Sequence, residues 1–587
     1  VSPSGISVGP VILEVQNNFE QLNWRAKIIP RNVSISLSSP KNIITKLKDH
    51  QQDSLEWQVS AWEAGLAGVL NADEPGLGKT LQTLAFLAWM KDELNQSKEH
   101  KCLGPILIVA PTTLLENWEQ EVAIHMSKDG LGSLVKLYGN ATASRKRLGA
   151  SGVDTKEGQD LLNLDFLIEA TKQGKGHNFW VLTTYTTLTN YQHSLGKIPF
   201  SVAVFDEIQA MKDPGSLRTL AGLAMNADFR IGLTGTPIEN STVDLWAILE
   251  QISPGRLIPL NKFRQEFANP DIKKLNQLYE LIFQEVDELP PMAIRRIKDN
   301  VATDLPKKTR MLHPFEMPSE QAAIYEEARS KLISGEKGAV LKMLHHIRSV
   351  SVHPNFTASG SSKDFINLSA RLKSTFIILD KIKAKNERAL VFIENIQMQF
   401  RFIELLKLRY EIQSIDLING RTPIKQRQKI VNRFQQHTKQ DGGFDILVLG
   451  PKAAGTGLTL TAATHVIHLS RWWNPAVEEQ CNDRVHRIGQ KYPVTVHIPM
   501  AIHPNYGSES FDCFLHSLMA KKRKLASSTL WPMGDTVNDT SKLQDMIRDG
   551  SSRSSAENVI SDAMLKMFER DGLTPLDVLE DNTYVYD

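Results

Sequence analysis

The sequence predicts an α/β fold of two similar units, each a mostly parallel sheet with helices on both faces, with a helical insertion between them. Two observations carry that prediction. From about residue 41, short aliphatic runs alternate with amphipathic stretches of helical length, the order expected of strand–helix–strand units. The pattern lapses between about residues 253 and 371, which read as charged and mostly helical, and then returns for a second series.

Taken in order, residues 1–40 hold short extended pieces at 11–15 and 33–37 with Pro and Ser between them, and read as the end of an upstream region. The chain starts at Val1, not Met, and has no charged-then-apolar leader, so a fragment is expected and not a secreted precursor. The first unit spans 41–255, with strands expected at 67–70, 106–109, 180–182, 202–205 and 230–233. The bridge or insertion covers 256–370. The second unit spans 371–525, with strands expected at 389–393, 412–417, 446–449, 465–469 and 494–498, and it ends near the basic run Lys521-Lys522-Arg523-Lys524. Residues 526–587 form a tail in which Val559, Ile560, Ala563, Met564, Met567 and Phe568 recur at helical spacing, the mark of a docking helix.

Composition narrows the function classes. Across 587 residues, 41% are hydrophobic and 23% charged, and Gly 35 with Pro 27 shows no low-complexity bias, which excludes a disordered scaffold and a collagen-like rod. No run reaches the ~18 apolar residues that span a bilayer. Cys102, Cys481 and Cys513 lie far apart, with no spacing for a disulfide framework or a zinc cluster, so a reducing compartment is expected. The net charge is only +2, but 12 acidic and 5 basic residues set the tail at −7 and leave +9 on the first 525 residues. A basic body allows a polyanion partner.

The chemistry begins at Asp73-Glu74-Pro75-Gly76-Leu77-Gly78-Lys79-Thr80, after the first strand and before an apolar helix. A strand–loop–helix with Gly-x-Gly-Lys-Thr sets the backbone N–H groups of Gly76, Leu77 and Gly78, and a helix N-terminus, around nucleotide phosphates. Lys79 would reach the β and γ phosphates and Thr80 would hold Mg²⁺. The strict pattern has glycine six residues before the lysine, where this chain has Asp73; a glycine-rich turn fits the loop taken alone. Downstream, the apolar run 202–205 ends in Asp206-Glu207, an acidic pair at the strand end where open parallel sheets bind ligands. Asp206 would hold the magnesium and Glu207 would orient and deprotonate the attacking water. In the second unit Arg484 and Arg487 stand three apart and are expected on one helix face, where two guanidinium groups could stabilise a transferring phosphoryl group or simply be solvated.

At this point the series resembles the SWI/SNF family of helicase-like, DNA-translocating ATPases of helicase superfamily two. Leu47 to Gln51 is similar to its adenine-reading glutamine motif, with Gln51 in the reading position, and Asp73 to Thr80 to motif I, with Pro75 where Met is usual. Ala110 to Leu114 with Asn117, Trp118 and Glu121 resembles motif Ia, and Thr183-Thr184-Tyr185 motif Ib. Asp206-Glu207-Ile208-Gln209 resembles motif II, where Ala or Cys and then His are commoner in the last two places. Leu233 to Asn240 resembles motif III, and Arg295-Arg296 with Asp304-Leu305-Pro306 the bridge between lobes. Gly420, Arg427 and Phe434 fit motif IV. Ala454 to Leu460 fits motif V, with Thr459 for the commoner Asn. Trp472-Trp473-Asn474-Pro475 and Gln480 to Gln490 are similar to motifs Va and VI, with Ser470 where Asp is common. The resemblance covers residues 41–525.

It implies two RecA-like lobes with ATP and Mg²⁺ at their interface. Lys79, Asp206, Glu207, Arg484 and Arg487 would be catalytic, and Gln51, Gly76, Leu77, Gly78, Thr80 and Gly457 would help bind the nucleotide. Thr113, Thr236, Thr456 and Trp473 resemble the family's contacts to double-stranded DNA, which read phosphates and not sequence. The expected function is an ATP-dependent DNA translocase of bacterial type, with anti-phage defence as one setting. The alternatives are the motor portion of a DNA-degrading nuclease, a eukaryotic chromatin-remodelling core, or a non-catalytic ATP-gated clamp. The expected location is the cytoplasm for a bacterial protein and the nucleus for a eukaryotic one, and the upstream region and acidic tail are the places for protein partners. His345, His346 and His353 lack acidic or Cys partners at ligand spacing and read as structural.

Overall fold

The computed structural model describes residues 10–13, 28–35, 40–96, 103–237, 241–268, 272–301, 305–334, 340–358, 360–436, 443–451, 458–472, 474–528, 543, 545–547, 558–571 and 584–586. They fall into two compact units, divided after residue 303.

The first unit is a seven-stranded sheet of β1 (Gly68–Asn71), β2 (Ile106–Ala110), β3 (Ser133–Leu137), β4 (Phe179–Thr184), β5 (Phe200–Asp206), β6 (Ala227–Leu233) and β7 (Ala293–Ile294). Their order is β3-β4-β2-β5-β6-β1-β7 and every pairing is parallel. Both faces are covered, which is why the strands read as unbroken apolar runs. Along β2, Leu107 and Val109 join one core with Phe205 and Trp246, while Ile106 and Ile108 join the other with Trp62, Trp89 and Trp118. Two strands escape the sequence pattern. Edge strand β3 exposes Ser133 and Lys136, and β7 is only two residues long.

The pieces expected to be extended, 11–15 and 33–37, form no strand at 11–13 and 33–35, and their remaining residues lie outside the described ones; residues 10–13 and 28–35 hold to this unit. Arg31 donates to the Trp62 and Leu66 carbonyls, and its guanidinium lies 5.2 Å from the Trp62 ring centre. The amides of Ser34 and Ile35 donate to the buried Glu93 carboxylate.

The second unit repeats the architecture with β8 (Lys308–Glu316), β9 (Arg388–Phe392), β10 (Asp416–Ile418), β11 (Asp445–Leu449), β12 (His465–His468), β13 (Val494–Ile502) and β14 (Tyr584–Tyr586). The order is β10-β11-β9-β12-β13-β8-β14, again all parallel. Strand β8 lies in the stretch read as helical. Its sequence is polar and contains Pro314, yet it pairs with β13 along its whole length. Strand β14 meets it only at Arg310–Leu312, so Pro314 sits where one flank of β8 has no strand, a place that tolerates the missing N–H. The run at 412–417 contributes only Asp416 and Leu417 to β10, and Glu411, in a left-handed conformation (φ 56°), ends the preceding helix. In the tail, helix Val559–Arg570 buries Ala563, Met564, Met567 and Phe568 in this unit's core, the docking that its periodicity predicts. Among the described residues no helix is long and apolar enough to cross a membrane, and Cys481 and Cys513 are buried free thiols.

Three neighbouring strands of this sheet carry a chain of buried histidines. His313 lies 2.9 Å from His497, which lies 3.0 Å from His465, which in turn meets the Glu387 carboxylate at 2.6 Å. Because Glu387 accepts from His465 Nε2, His465 Nδ1 must accept from His497 Nε2, and His497 Nδ1 from His313 Nε2. One neutral tautomer therefore propagates through all three rings. Burial holds the His465 and His497 imidazoles below their usual range, His497 furthest, with the other histidines, Lys381 and Lys385 adding repulsion. Unfolded histidines take up a proton near pH ~6.5, before these do. The stability from this chain is thus complete above about 6.5 and is lost as pH falls below it. At pH 8, His497→Gln should cost about 1–3 kcal/mol through its two broken hydrogen bonds. That gap to the unmodified protein, read from thermal unfolding, should narrow by pH 5.5; a constant gap would contradict the neutral chain.

Candidate functional site

The register of one residue assembles the site. Leu233, the last residue of β6, pairs with Asn71 at the end of β1 on one side and with Asp206 at the end of β5 on the other. Three loops therefore leave the sheet side by side: 72–78, the turn after Asp206, and 234–237. This is the carboxyl edge where parallel α/β sheets place ligands.

The first loop turns through two left-handed glycines, Gly76 (φ 94°) and Gly78 (φ 82°). A Cβ on Gly78 would stand 2.5 Å from Gln51 Nε2, and one on Gly235 would stand 2.6 Å from Pro75 Cγ. Glycine suits both places, Gly78 because its positive φ strains any side chain and Gly235 because the rigid Pro75 ring stands in the way. The carbonyl of Leu77 accepts from His50 and Gln51 of α1 (Asp49–Glu63) and from Gln82 of α2 (Lys79–Gln96). Helix α2 begins at Lys79, so the amides of its first turn open onto the loop. Lys79 Nζ donates to the Asp73 carbonyl at 2.7 Å, and Thr80 follows it, half-buried. Gln51 is buried, with Oε1 accepting from the Lys48 amide and Nε2 donating to Leu77.

Asp73, standing where the strict pattern has glycine, is wholly buried and paired. Arg296 grips its carboxylate with Nε at 3.0 Å and Nη2 at 2.5 Å, and the Arg296 amide donates to the same group at 2.9 Å. The guanidinium also reaches the His50 carbonyl and Gln82 Oε1. Strand β7 brings it there, by pairing with Leu70 and Asn71 and continuing through the Glu74 amide to the Arg296 carbonyl.

Asp206 leaves β5 with its carboxylate accepting from Trp118 Nε1 (2.8 Å) and the Glu207 amide (3.0 Å), while Tyr185 donates to its carbonyl. Burial first, and then the Glu207 charge, push the Asp206 carboxyl up to about 7, against the Trp118 bond and the Lys79 charge. Lys79 is thus near enough to act on the acidic pair. A carboxylate this hard to ionise is a place for a cation, and the oxygens of Asp206 and Thr80 are the hard donors that suit Mg²⁺. Trp118 and Tyr185 stand in the sequence only as motif members; the half-buried Asp206 beside an indole N–H and a phenol is what gives them a role.

The remaining candidates fall unevenly. Thr113 is half-buried in a short 3₁₀ turn, and Thr236 is buried with its amide on Thr234. Thr456, Gly457 and Trp473 lie outside the described residues. Contrary to the expectation from their spacing, Arg484 and Arg487 do not share a helix face, because the helix Pro475–Asn482 stops short of both. Arg484 Nε folds back onto the Gln480 carbonyl, capping that end, and Gly489 (φ 103°) and the Gln490 amide, donating to the Thr461, Ala463 and Val485 carbonyls, hold the next residues as a turn. In the basic run, Lys522 is buried and Arg523 approaches Glu478 and Glu479 at 3.8 Å, so part of it packs inward. His353 spends both ring nitrogens, on the Phe365 carbonyl and the Asn355 amide.

Removing one partner of a buried ion pair leaves the other uncompensated, at a cost of about 3–5 kcal/mol. Arg296→Met should destabilise the first unit by that order in denaturant unfolding, and Asp73→Asn added to it should recover much of the loss. A cost within about 0.5 kcal/mol, the usual range for surface changes, would remove the pair from this role.

Residues 50–375 match the SNF2-related domain and residues 372–489 match the helicase conserved C-terminal domain. The Zorya protein ZorD of Escherichia coli O139:H28 is 32% identical over 524 residues, covering 84% of this chain and 46% of that protein. The putative ATP-dependent helicase/translocase YwqA of Bacillus subtilis is 29% identical over 501 residues, 83% of this chain and 49% of the relative. The DNA repair and recombination protein RAD26 of Saccharomyces cerevisiae is 27% identical over 518 residues, 78% and 45% respectively. The chain spans about half the length of the curated relatives it matches. With the SNF2-related match covering more than half of its length, and the phosphate loop and acidic pair on adjoining strand ends, the chain belongs to the SWI/SNF family of helicase-like ATPases.

Proposed function

We propose that this chain is an ATP-driven motor that moves along double-stranded DNA without reading its sequence, in the cytoplasm of a bacterium and in anti-phage defence. One observation carries the reading: Leu233 pairs with both Asn71 and Asp206, which sets the phosphate loop beside the acidic pair. The similarity to ZorD supports the setting, the name of YwqA supports translocation, and the name of RAD26 supports DNA as the partner. The +9 on the first 525 residues suits a polyanion.

In this reading, the amides of Gly76, Leu77 and Gly78 and the first turn of α2 hold the nucleotide's phosphates, and Gln51 its base. Lys79 exchanges the Asp73 carbonyl for phosphate oxygen. Thr80 and Asp206 hold Mg²⁺, which neutralises phosphate charge when bound. Glu207 accepts the proton of the attacking water at its carboxylate. Arg484 and Arg487 supply charge to the transferring group, and Gly457 helps bind the nucleotide. Thr113, Thr236, Thr456 and Trp473 serve DNA, by contacts that select no sequence.

ATP turnover should rise on adding random-sequence duplex DNA, fall steeply with salt, and depend on two residues. Lys79→Ala should weaken nucleotide binding, and Glu207→Gln should trap bound ATP. Near-normal steady-state turnover in Glu207→Gln would sink the assigned role, and no turnover in the unmodified protein would sink the reading.

A second measurement separates Arg487 from these. Arg487→Ala should leave nucleotide affinity near normal and slow single-turnover hydrolysis by roughly 10³–10⁵, the worth of an arginine finger. Lysine there keeps the charge but loses the planar fork, so Arg487→Lys should rescue poorly. Full single-turnover hydrolysis in folded Arg487→Ala would take Arg487 off the catalytic set.

A further inference from the structure

Gln209 fills a position where the family more often has histidine, and its side chain has an unusual pair of environments. Nε2 donates to Glu207 Oε2 at 2.5 Å, while Oε1 is buried with no hydrogen-bond partner. A carboxylate only accepts, so the amide's orientation is set by Glu207 and cannot be reversed to satisfy Oε1. Leaving a buried carbonyl oxygen unsatisfied costs about 1–3 kcal/mol. The Glu207 bond therefore holds Gln209 with its carbonyl oxygen unsatisfied.

Glu207 itself is in a left-handed conformation (φ 51°, ψ 52°), uncommon for a residue with a Cβ, where it caps the short 3₁₀ turn Ile208–Met211. Both side chains line an open cavity of about 670 Å³ on the first unit, together with Pro111, Thr186, Asn190, Lys212 and Arg218. The lining also carries the carboxylate of Asp213 beside that of Glu207, against the two cations; Lys212, Arg218 and the neutral donors Thr186, Asn190 and Ser216 are the groups that suit phosphate oxygens.

We propose that Gln209 restrains Glu207: its amide occupies the carboxylate oxygen needed for the attacking water, and a nucleic-acid phosphate in the adjoining cavity takes the amide and frees it. Gln209 is thus a positioning residue, acting through Glu207. The inference rests on the hydrolytic reading above and adds how that site is held back without DNA. No bond is made or broken in the switch; one hydrogen bond is exchanged for another.

The test is ATP turnover by the full chain, with and without random-sequence duplex DNA, in Gln209→Met and Gln209→Ala, with thermal unfolding on the same samples. Met keeps the length of the side chain and removes the amide. Both variants should raise DNA-free turnover about tenfold, a fraction of the ~10²–10⁴ that a positioned base supplies. Turnover at saturating DNA should stay within about twofold, because DNA has already released Glu207 there. The stimulation ratio should therefore collapse, with KM for ATP unchanged. A merely structural Gln209 predicts that both rates fall together, and that result overturns the restraint. An unchanged ratio in folded Gln209→Met overturns it as well, while DNA-stimulated turnover in the unmodified protein leaves the hydrolytic reading intact. Absence of turnover in the unmodified protein overturns both.

Discussion

The parallel ladder that places β6 between β1 and β5 is the constraint on which the site depends. Strand β6 meets β1 from Gly68 to Asn71 and β5 from Phe200 to Asp206, and both ladders close at Leu233. Side chains on a strand alternate between faces, so a slip of one residue on either side would move a whole apolar set to the wrong face. Burial of both faces forbids that slip, since Val69 and Leu70 are each packed in a different core. The packing that stabilises the first unit thereby also fixes where residues 72–78 and 206–209 leave the sheet. No side chain of the site has to specify that placement itself.

Side chains then hold the loop within this frame. The Leu77 carbonyl is gripped from α1 and α2, and the Asp73 carboxylate from Arg296. A phosphate loop is a run of backbone with few contacts of its own, and amides aimed at a ligand work only if they do not have to be reorganised. Here Arg296 reads as a continuation of strand β7, so the segment leaving the first unit and the phosphate loop share one ion pair. Pro75 against Gly235 does the same for the third loop by contact alone.

The second unit uses a different balance. Its sheet carries polar strands, and its interior holds ionic groups that must be matched. Arg371 and Asp512 are both fully buried, and the Asp512 carboxylate also accepts from the Ala501 amide. Glu479 is held ionised, well below its usual range, by Arg310, Lys308 and Arg523 against a strong burial penalty. Such pairs add little net stability over apolar packing, but breaking them is expensive, so they select one arrangement of β8, β13 and helix Phe511–Ser528.

The two-unit α/β architecture was legible because a doubly covered strand must be mostly apolar, and the central strands β2, β5, β9 and β11 each carry an aliphatic or aromatic run of at least four residues, with polar residues only at or next to their ends. The phosphate loop and Asp206-Glu207 were legible for a similar reason: their chemistry lies in contiguous residues whose spacing is local. Family membership followed from the order of such local motifs. Strand β8 and edge strand β3 were not legible, because a polar strand takes its identity from its partner's open hydrogen bonds and not from its own hydrophobic period. The same holds for the end of the Pro475–Asn482 helix, decided by the Arg484 cap and the Gln490 amide. Arg296 on Asp73 joins residues 223 apart, and Gln209 on Glu207 is a choice among rotamers. The sequence by itself determined which local segments carry chemistry and that two sheets would bury them. The tertiary structure alone decided which distant side chain answers each buried charge, because a charge inside the fold selects its partner by proximity in space, and spacing along the chain carries no record of that.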